Sequence, residues 1–284
     1  MKTLDAIARP NGGFAMVAMD QRESLRTMFH SAGRGRPPDS ELVSFKLAVA
    51  RTLAPLASGF LIDRELGFDQ VRDGGLLPDG CGLILAADSL QQEPGGPVED
   101  TSIDEPMLSN LDLTGVQALK LLLIWRQDRK REARVELAQR FIDLSAQHQV
   151  LSVLEPVARV DEIQDEDTAI LEAARELSPL RPSLYKAQVP LRGRANPATL
   201  ESACPLLGAA MSGPWVVLSQ GVQRDDFPGA VRAACRGGAS GFLAGRALWS
   251  DAIGRPDVQT ALSEIARPRL DQDLVQPIGQ PFPE

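Results

Sequence analysis

The sequence predicts an α/β fold built as a single (β/α)8 TIM barrel, and three observations carry that reading. Short apolar runs recur about every 25 to 40 residues, separated by polar stretches with helical spacing, which is the pattern of parallel strands alternating with crossover helices. Eight such runs fit within about 250 residues, the usual size of this barrel. The 284-residue chain is 43% hydrophobic and has no Pro/Gly-rich linker dividing it, so one core serves its whole length.

The elements follow in order. Strands are expected over Phe14–Met19, Gly59–Ile62, Gly82–Ala87, Ala118–Ile124, Leu151–Leu154, Leu184–Ala187, Trp215–Leu218 and Gly241–Ala244. Most of these runs are apolar without alternation, as strands buried on both faces require. Helices are expected over Glu41–Leu53, Arg129–Gln147, Asp167–Leu177, Pro197–Ala209 and Phe227–Arg236, where apolar residues return every three or four positions. A doubly wound open sheet is the rival, but Gly12-Gly13 precedes the first strand instead of following it, so the dinucleotide fingerprint is missing. The Pro- and acid-rich segment from Gln91 to Asn110 is too long for an ordinary loop and is expected to form a flap or an interface arm. The barrel domain is expected over residues 1–266, with 267–284 as a tail without periodicity that packs on the surface or frays.

Composition narrows the class of function. A formal charge of −8 and a sequence pI near 5.0 argue against binding nucleic acid or an anionic membrane, which leaves a small molecule as the expected partner. No apolar stretch of about 18 residues occurs, and the start of the chain lacks a signal-peptide pattern, so a cytoplasmic protein is expected. Cys81, Cys204 and Cys235 are far apart, and His30 and His148 fall inside predicted helices; neither a disulfide framework nor a metal site is suggested. Lysine is scarce: Lys2, Lys46, Lys120, Lys130 and Lys186 are the five among thirty basic residues.

In such barrels the site lies where strands end at the C-terminal face. Asp20, Asp63, Asp88, Glu155 and Ser219 each follow a predicted strand, while Lys120 and Lys186 lie within two of them. One strand-end carboxylate is often only a helix N-cap; the convergence of several is harder to explain that way. Leu184, Tyr185, Ala187 and Val189 surround Lys186, a setting expected to desolvate the amine and favour its neutral, nucleophilic form. Lys120, if it shares that mouth, would add to the effect as a second cation. Two lysines at one site point to imine chemistry, and the bland alternative is a pair of structural ion pairs. Glu155, followed by Pro156, suits a general acid/base. Ser219-Gln220-Gly221 and Gly245-Arg246 stand where many barrels hold a phosphate with backbone N–H groups and a cation. A nucleophilic role for Ser219 lacks a histidine base at any strand end.

The stretches GGFAMVAMDQRESLRTMF, ALKLLLIWR, LEPVAR, LYKAQVPL, PWVVLSQGV and ASGFLAGRALW, which span about Gly12 to Pro256, resemble class I aldolases of the tagatose 1,6-bisphosphate aldolase family, and within it the sulfofructosephosphate aldolase branch of sulfoquinovose breakdown. The resemblance implies that Lys186 forms a Schiff base with dihydroxyacetone phosphate and that no metal or organic cofactor is needed. It implies that Ser219, Gly221, Gly245 and Arg246 hold an anionic end of the substrate, and that Asp20, Gln21, Arg22 and Asp63 orient hydroxyls or the remote anion. It also implies a homo-oligomer. Two departures touch specificity: the sulfosugar branch has Ser-Ser-Gly in place of Ser219-Gln220-Gly221 and glutamine in place of Arg64.

The reaction so implied is cleavage of a ketose 1-phosphate. 6-Deoxy-6-sulfofructose 1-phosphate would give dihydroxyacetone phosphate and 3-sulfolactaldehyde, whereas tagatose 1,6-bisphosphate would give glyceraldehyde 3-phosphate as the aldehyde. Arginines at the mouth (Arg22, Arg64, Arg126, Arg192 or Arg194) would favour the bisphosphate, because a phosphate carries up to twice the charge of a sulfonate. A reading of another class is a silent barrel that binds a sugar phosphate without turning it over.

Overall fold

The computed structural model describes residues 2–162 and 165–275. Its strands are β1 (Phe14–Met19), β2 (Gly59–Ile62), β3 (Gly82–Ala86), β4 (Asp88–Gln91), β5 (Asp100–Ile103), β6 (Val116–Trp125), β7 (Leu151–Ala158), β8 (Leu184–Ala187), β9 (Trp215–Val217) and β10 (Gly241–Ala244). Eight of them close into a parallel barrel in the order β1-β2-β3-β6-β7-β8-β9-β10, with β10 pairing back to β1. Helices Asp39–Leu53, Arg131–Gln147, Glu166–Leu177, Pro197–Ala210 and Phe227–Arg236 lie between strands. They confirm the predicted barrel.

Strand geometry dictates what fills it. Side chains alternate between the two faces, so one set points to the helices and the other into the barrel. The inward set begins with Phe14, Met16, Ala118, Leu151, Leu184 and Leu243, which are buried in one apolar plug, each worth roughly 1.5–3 kcal/mol for the larger side chains. Ile7, fully buried, joins the plug from the N-terminal segment. That segment runs so near β3 that a Cβ on Gly82 would lie 2.2 Å from the Ala6 carbonyl oxygen, so only glycine fits there. Continued toward the C-terminal face, the same inward alternation reaches Lys120, Glu155 and Lys186.

Three differences from the sequence reading matter. First, β7 runs to Ala158, not Leu154, pairing Pro156 with Leu123 and Ala158 with Trp125 of β6. Proline is tolerated because the register with β8 stops at Leu154–Tyr185, so no ladder partner on that side needs its missing N–H. Glu155 therefore sits inside the strand instead of closing it. Second, β4 and β5 form an antiparallel hairpin, Asp88 facing Ile103 and Gln91 facing Asp100, followed by a short helix Glu105–Asn110. Third, chain beyond Arg267 stays helical through Arg269–Val275, with Leu270 and Leu274 buried. Arg269 ties it down by donating to the Leu248 carbonyl and to Asp251, both at 2.9 Å. The rest of the expected tail, 276–284, lies outside the described residues. No described helix is long and apolar enough to cross a membrane.

Candidate active site

A cavity of about 250 Å³ opens at the C-terminal end of the barrel. Its floor is a charged cluster made by the inward register. Lys120 is level with Ala86 of β3 and Val153 of β7, and its side chain rises one layer to reach three carboxylates. Its Nζ lies 2.7 Å from Asp20 Oδ2, 3.1 Å from Asp88 Oδ2 and 2.8 Å from Glu155 Oε2. Glu155 bridges onward, its Oε1 2.9 Å from Lys186 Nζ. Arg22 completes the cluster by donating to Asp88 Oδ1 at 2.7 Å and to the Asp88 carbonyl oxygen at 3.0 Å. Lys120, Lys186 and Glu155 are each 5% exposed or less, so the cations hold their carboxylates in a largely dry setting.

The electrostatics follow from that burial. Burial works against the ionised Asp20 carboxyl, but the Lys120 and Lys186 ammoniums and the Lys120 hydrogen bond outweigh it and hold Asp20 well below the usual carboxylate range. Lys120 shows the reverse balance: burial opposes its charge, yet Asp20, Asp88 and Glu155 raise it well above an ordinary lysine. Lys120 is thus a permanent cation. Arg22 is likewise raised, with Asp88, Asp63, Glu65 and Asp20 overcoming burial.

Two buried acceptors in the cavity wall have no hydrogen bond, Gln21 Oε1 and Glu155 Oε2. The Lys120 ammonium, 2.8 Å from Glu155 Oε2, occupies at most one side of that oxygen, which keeps a second lone pair for a hydroxyl donor. On the opposite wall the Ser219 hydroxyl accepts from the Gly245 N–H at 3.3 Å. A Cβ on Gly245 would meet the Ala18 carbonyl oxygen at 2.8 Å and Gln21 Nε2 at 2.9 Å, which explains the glycine. Arg246, next along, lines the cavity with no ion pair among the described residues, and burial pulls its guanidinium below the ordinary arginine value.

The expected site residues Asp20, Gln21, Arg22, Lys120, Glu155, Lys186, Ser219, Gly245 and Arg246 all reach this cavity. Asp63 and Gly221 do not. Asp63 is fully buried below the wall, ion-paired with Lys46 from helix Asp39–Leu53 and accepting the Leu66 N–H at 2.8 Å. It secures a helix to the strand end, a structural use of a strand-end carboxylate. Gly221 adopts φ +83° in the loop after β9, beneath the Arg192 methylenes. Of the arginines expected at the mouth, only Arg22 lines the cavity; Arg64 pairs with Asp69 at 2.6 Å, Arg126 with Glu99 at 2.8 Å and Arg192 with Glu166 at 2.5 Å, and Arg194 is exposed.

Two contributors stand beyond the expected site residues, the first unforeseen and the second expected only as a flap or an interface arm. Arg159, at the end of β7, faces the cavity; ending that strand at Leu154 hid the alternation from Glu155 through Val157. The second is the β4–β5 hairpin, whose Leu90, Gln92, Gly96, Pro97 and Val98 roof the mouth. Its tip is latched by Glu23, which accepts the Gly95 N–H at 2.9 Å and pairs with Arg36 at 2.8 Å.

Comparison with known proteins agrees with this geometry. The family model described as DeoC/LacD family aldolase matches residues 14–251. The chain is 25% identical over 287 residues to tagatose 1,6-diphosphate aldolase of Streptococcus agalactiae, covering 89% of this chain and 85% of that protein. It is 26% identical to tagatose 1,6-diphosphate aldolase 2 of Enterococcus faecalis, with 88% and 83% covered. An archaeal fructose-1,6-bisphosphate aldolase, solved with its catalytic lysine covalently bound to a carbinolamine intermediate, superposes with a TM-score of 0.61 at 19% identity, over 96% of this chain and 98% of that one. The fructose-bisphosphate aldolase of Slackia heliotrinireducens gives the same TM-score at 17% identity, over 95% and 86%; these two likenesses speak to the fold. With the family match spanning most of the chain, this protein belongs to the DeoC/LacD family of aldolases and is a carbon–carbon lyase.

Proposed function

We propose that the chain cleaves an open-chain ketose 1-phosphate through a Schiff base on Lys186. The observation that carries this reading is the Lys186 amine at the cavity floor, 2.9 Å from the Glu155 carboxylate. Glu155 takes a proton from the Lys186 ammonium, and the neutral amine adds to the C2 carbonyl. Proton return to the oxygen expels water and leaves an iminium. Glu155, through the open Oε2, then accepts the C4 hydroxyl proton. The C3–C4 bonding pair moves into the iminium, the aldehyde departs and an enamine remains. Protonation at C3 and hydrolysis release dihydroxyacetone phosphate and restore the lysine. Lys120 is a positioning residue here, fixing Glu155 and Asp20 while its own charge is balanced. Gln21 Oε1 and Asp20 suit sugar hydroxyls, and Ser219, Gly245 and Arg246 suit the C1 phosphate, adjacent to the reacting carbonyl.

The sulfosugar resemblance makes 6-deoxy-6-sulfofructose 1-phosphate the first substrate, giving 3-sulfolactaldehyde. Tagatose 1,6-bisphosphate is the second reading, favoured by the names of the curated relatives. A homo-oligomer acting in the cytoplasm is part of the same reading.

The test is mass spectrometry after borohydride treatment, with and without dihydroxyacetone phosphate, on wild type and Lys186→Ala. A ligand-dependent adduct on Lys186, absent from the variant, is expected. Wild-type protein without an adduct, beside a control aldolase that forms one, would overturn the mechanism. Turnover of the two ketoses, followed by coupled detection of dihydroxyacetone phosphate, then ranks them.

A further inference from the structure

The charges around the cavity are divided unequally. At the floor, three cations (Lys120, Lys186, Arg22) face three carboxylates (Asp20, Asp88, Glu155) at ion-pair distance. Glu23, also on the wall, is engaged by Arg26 and Arg36. Two cavity-lining cations remain, Arg246 and Arg159, and neither has a carboxylate within ion-pair distance among the described residues. The carboxylates closest in character to partners for Arg159 are taken: Glu166 by Arg192 and Gln188, and Glu99 by Arg126. A half-buried guanidinium without a partner is costly unless an anion arrives to meet it.

The two arginines stand at different depths. Arg246 follows Gly245 and is influenced by Glu155 and Asp20, the floor groups. Arg159 is four residues beyond Glu155, just past the end of β7 and about 13 Å farther along the strand direction, and its charged surroundings are Arg126, Glu166, Arg246 and Glu99. Its backbone, directly after the end of β7, is tied to β6 by an N–H donated to the Trp125 carbonyl oxygen at 2.9 Å. A ketose bound with C2 at Lys186 has its C1 phosphate beside the floor and its C6 substituent farther out.

We infer that Arg159 is a specificity residue that binds the anionic group at the far end of the ketose, while Arg246 holds the near phosphate. The inference rests on the aldolase reading and adds to it the residue that reads the C6 substituent. Arg22 is poorly suited to that role because Asp88 occupies its guanidinium twice.

The experiment measures kcat/KM for tagatose 1,6-bisphosphate and 6-deoxy-6-sulfofructose 1-phosphate, each against its C6-hydroxyl counterpart, tagatose 1-phosphate and fructose 1-phosphate. Wild type, Arg159→Met and Arg159→Lys are compared, and borohydride trapping with dihydroxyacetone phosphate reports whether each variant keeps a working lysine. A charge-assisted contact is worth roughly tenfold to a hundredfold. Wild type should therefore favour the C6 anion by at least that factor with one of the pairs. Arg159→Met should bring the ratio below about threefold, and Arg159→Lys should retain part of it. An unchanged ratio in an Arg159→Met protein that still forms the adduct would overturn the inference. So would an equal loss on charged and uncharged substrates with weakened dihydroxyacetone phosphate trapping, which would assign Arg159 to the near phosphate. A wild-type protein with no adduct sinks the aldolase reading first, and this inference with it.

Discussion

The floor and the rim of the cavity are built on opposite electrostatic plans. At the floor every charge has a partner: Lys120 is shared among Asp20, Asp88 and Glu155, and Glu155 links it to Lys186. Among the described residues Arg159 at the rim has none, nor does Arg246 beside the floor. The difference teaches which charges belong to the fold and which await a ligand. A balanced buried cluster is stable while complete and fails when one member is removed. An unbalanced cation weakens the empty protein and strengthens the bound one.

The largest effect should follow from breaking the floor. Lys120→Met leaves three carboxylates without their common cation, at a cost of about 3–5 kcal/mol, and the melting temperature at pH 7 should fall by roughly ten degrees. The pH dependence sharpens the test. In wild type the Asp20 carboxyl is depressed, so its contribution is fully present above the unfolded value of about 3.9 and is lost only as pH falls through the still lower folded value. Lys120 is raised, so its contribution is present below about 10.4 and is lost as pH rises through the folded value. In the variant, burial without the cation favours the protonated carboxyls. Calorimetry should therefore show the gap between the two proteins narrowing from pH 7 toward pH 4. A gap of under two degrees at pH 7 would mean that the floor is not held by its ion pairs.

How much of this contrast the sequence disclosed depends on which neighbours each residue needs. The strands were legible because parallel strands buried on both faces write themselves as nearly continuous apolar runs, such as FAMVAM in β1 and GFLA in β10. Lysines inside such runs had to point into the barrel or toward its helices, and the floor cluster emerged from that. Asp63 misled because its partner, Lys46, comes from a helix that precedes it by a strand connection. Only the oddity of a lysine amid Leu42, Phe45 and Val49 hinted at a buried pair. Arg159 was missed since Pro156 suggested a strand end, and the absence of a β8 partner at that height is a tertiary fact. The hairpin was legible as an insertion, whereas its position over the mouth rests on contacts distant in sequence, Val98 on the layer of Ile124, Val157 and Leu218 and the Gly95 N–H on Glu23.

For the cations without a partner the expected sign of the stability change reverses. Arg246→Met removes a partly buried cation that has no ion pair, and an uncompensated charge contributes little to the empty fold. Its melting temperature should match or exceed that of wild type. Catalysis should suffer instead: KM for the ketose 1-phosphate should rise tenfold or more, in line with loss of a charge-assisted phosphate contact. Thermal melts and initial-rate kinetics on the same preparation check both halves. A variant destabilised as strongly as Lys120→Met, with KM unchanged, would place Arg246 among the structural charges and erase the distinction between balanced and unbalanced charges.

The smallest effect belongs to the latch between the two regions. Glu23 reaches the hairpin through the Gly95 N–H and is itself held by Arg36 and Arg26. Both arginines retain some contact with water, so the interaction is screened, and exposed pairs of this kind contribute about 0–1 kcal/mol. Glu23→Ala should leave the melting temperature within about two degrees. It should speed hydrogen exchange at the hairpin tip around Gly95, because one of the bonds closing that tip is gone. The roof residue Val98 packs, beside Leu122 of β6, on the apolar layer of Ile124, Val157 and Leu218 above the floor, so the hairpin stays seated and KM should rise by no more than about fivefold. Faster exchange confined to the tip would separate a local latch from the barrel itself. Faster exchange spreading into β4 and β5 would show that Glu23 holds the whole roof, and the KM effect would then approach that of Arg246→Met.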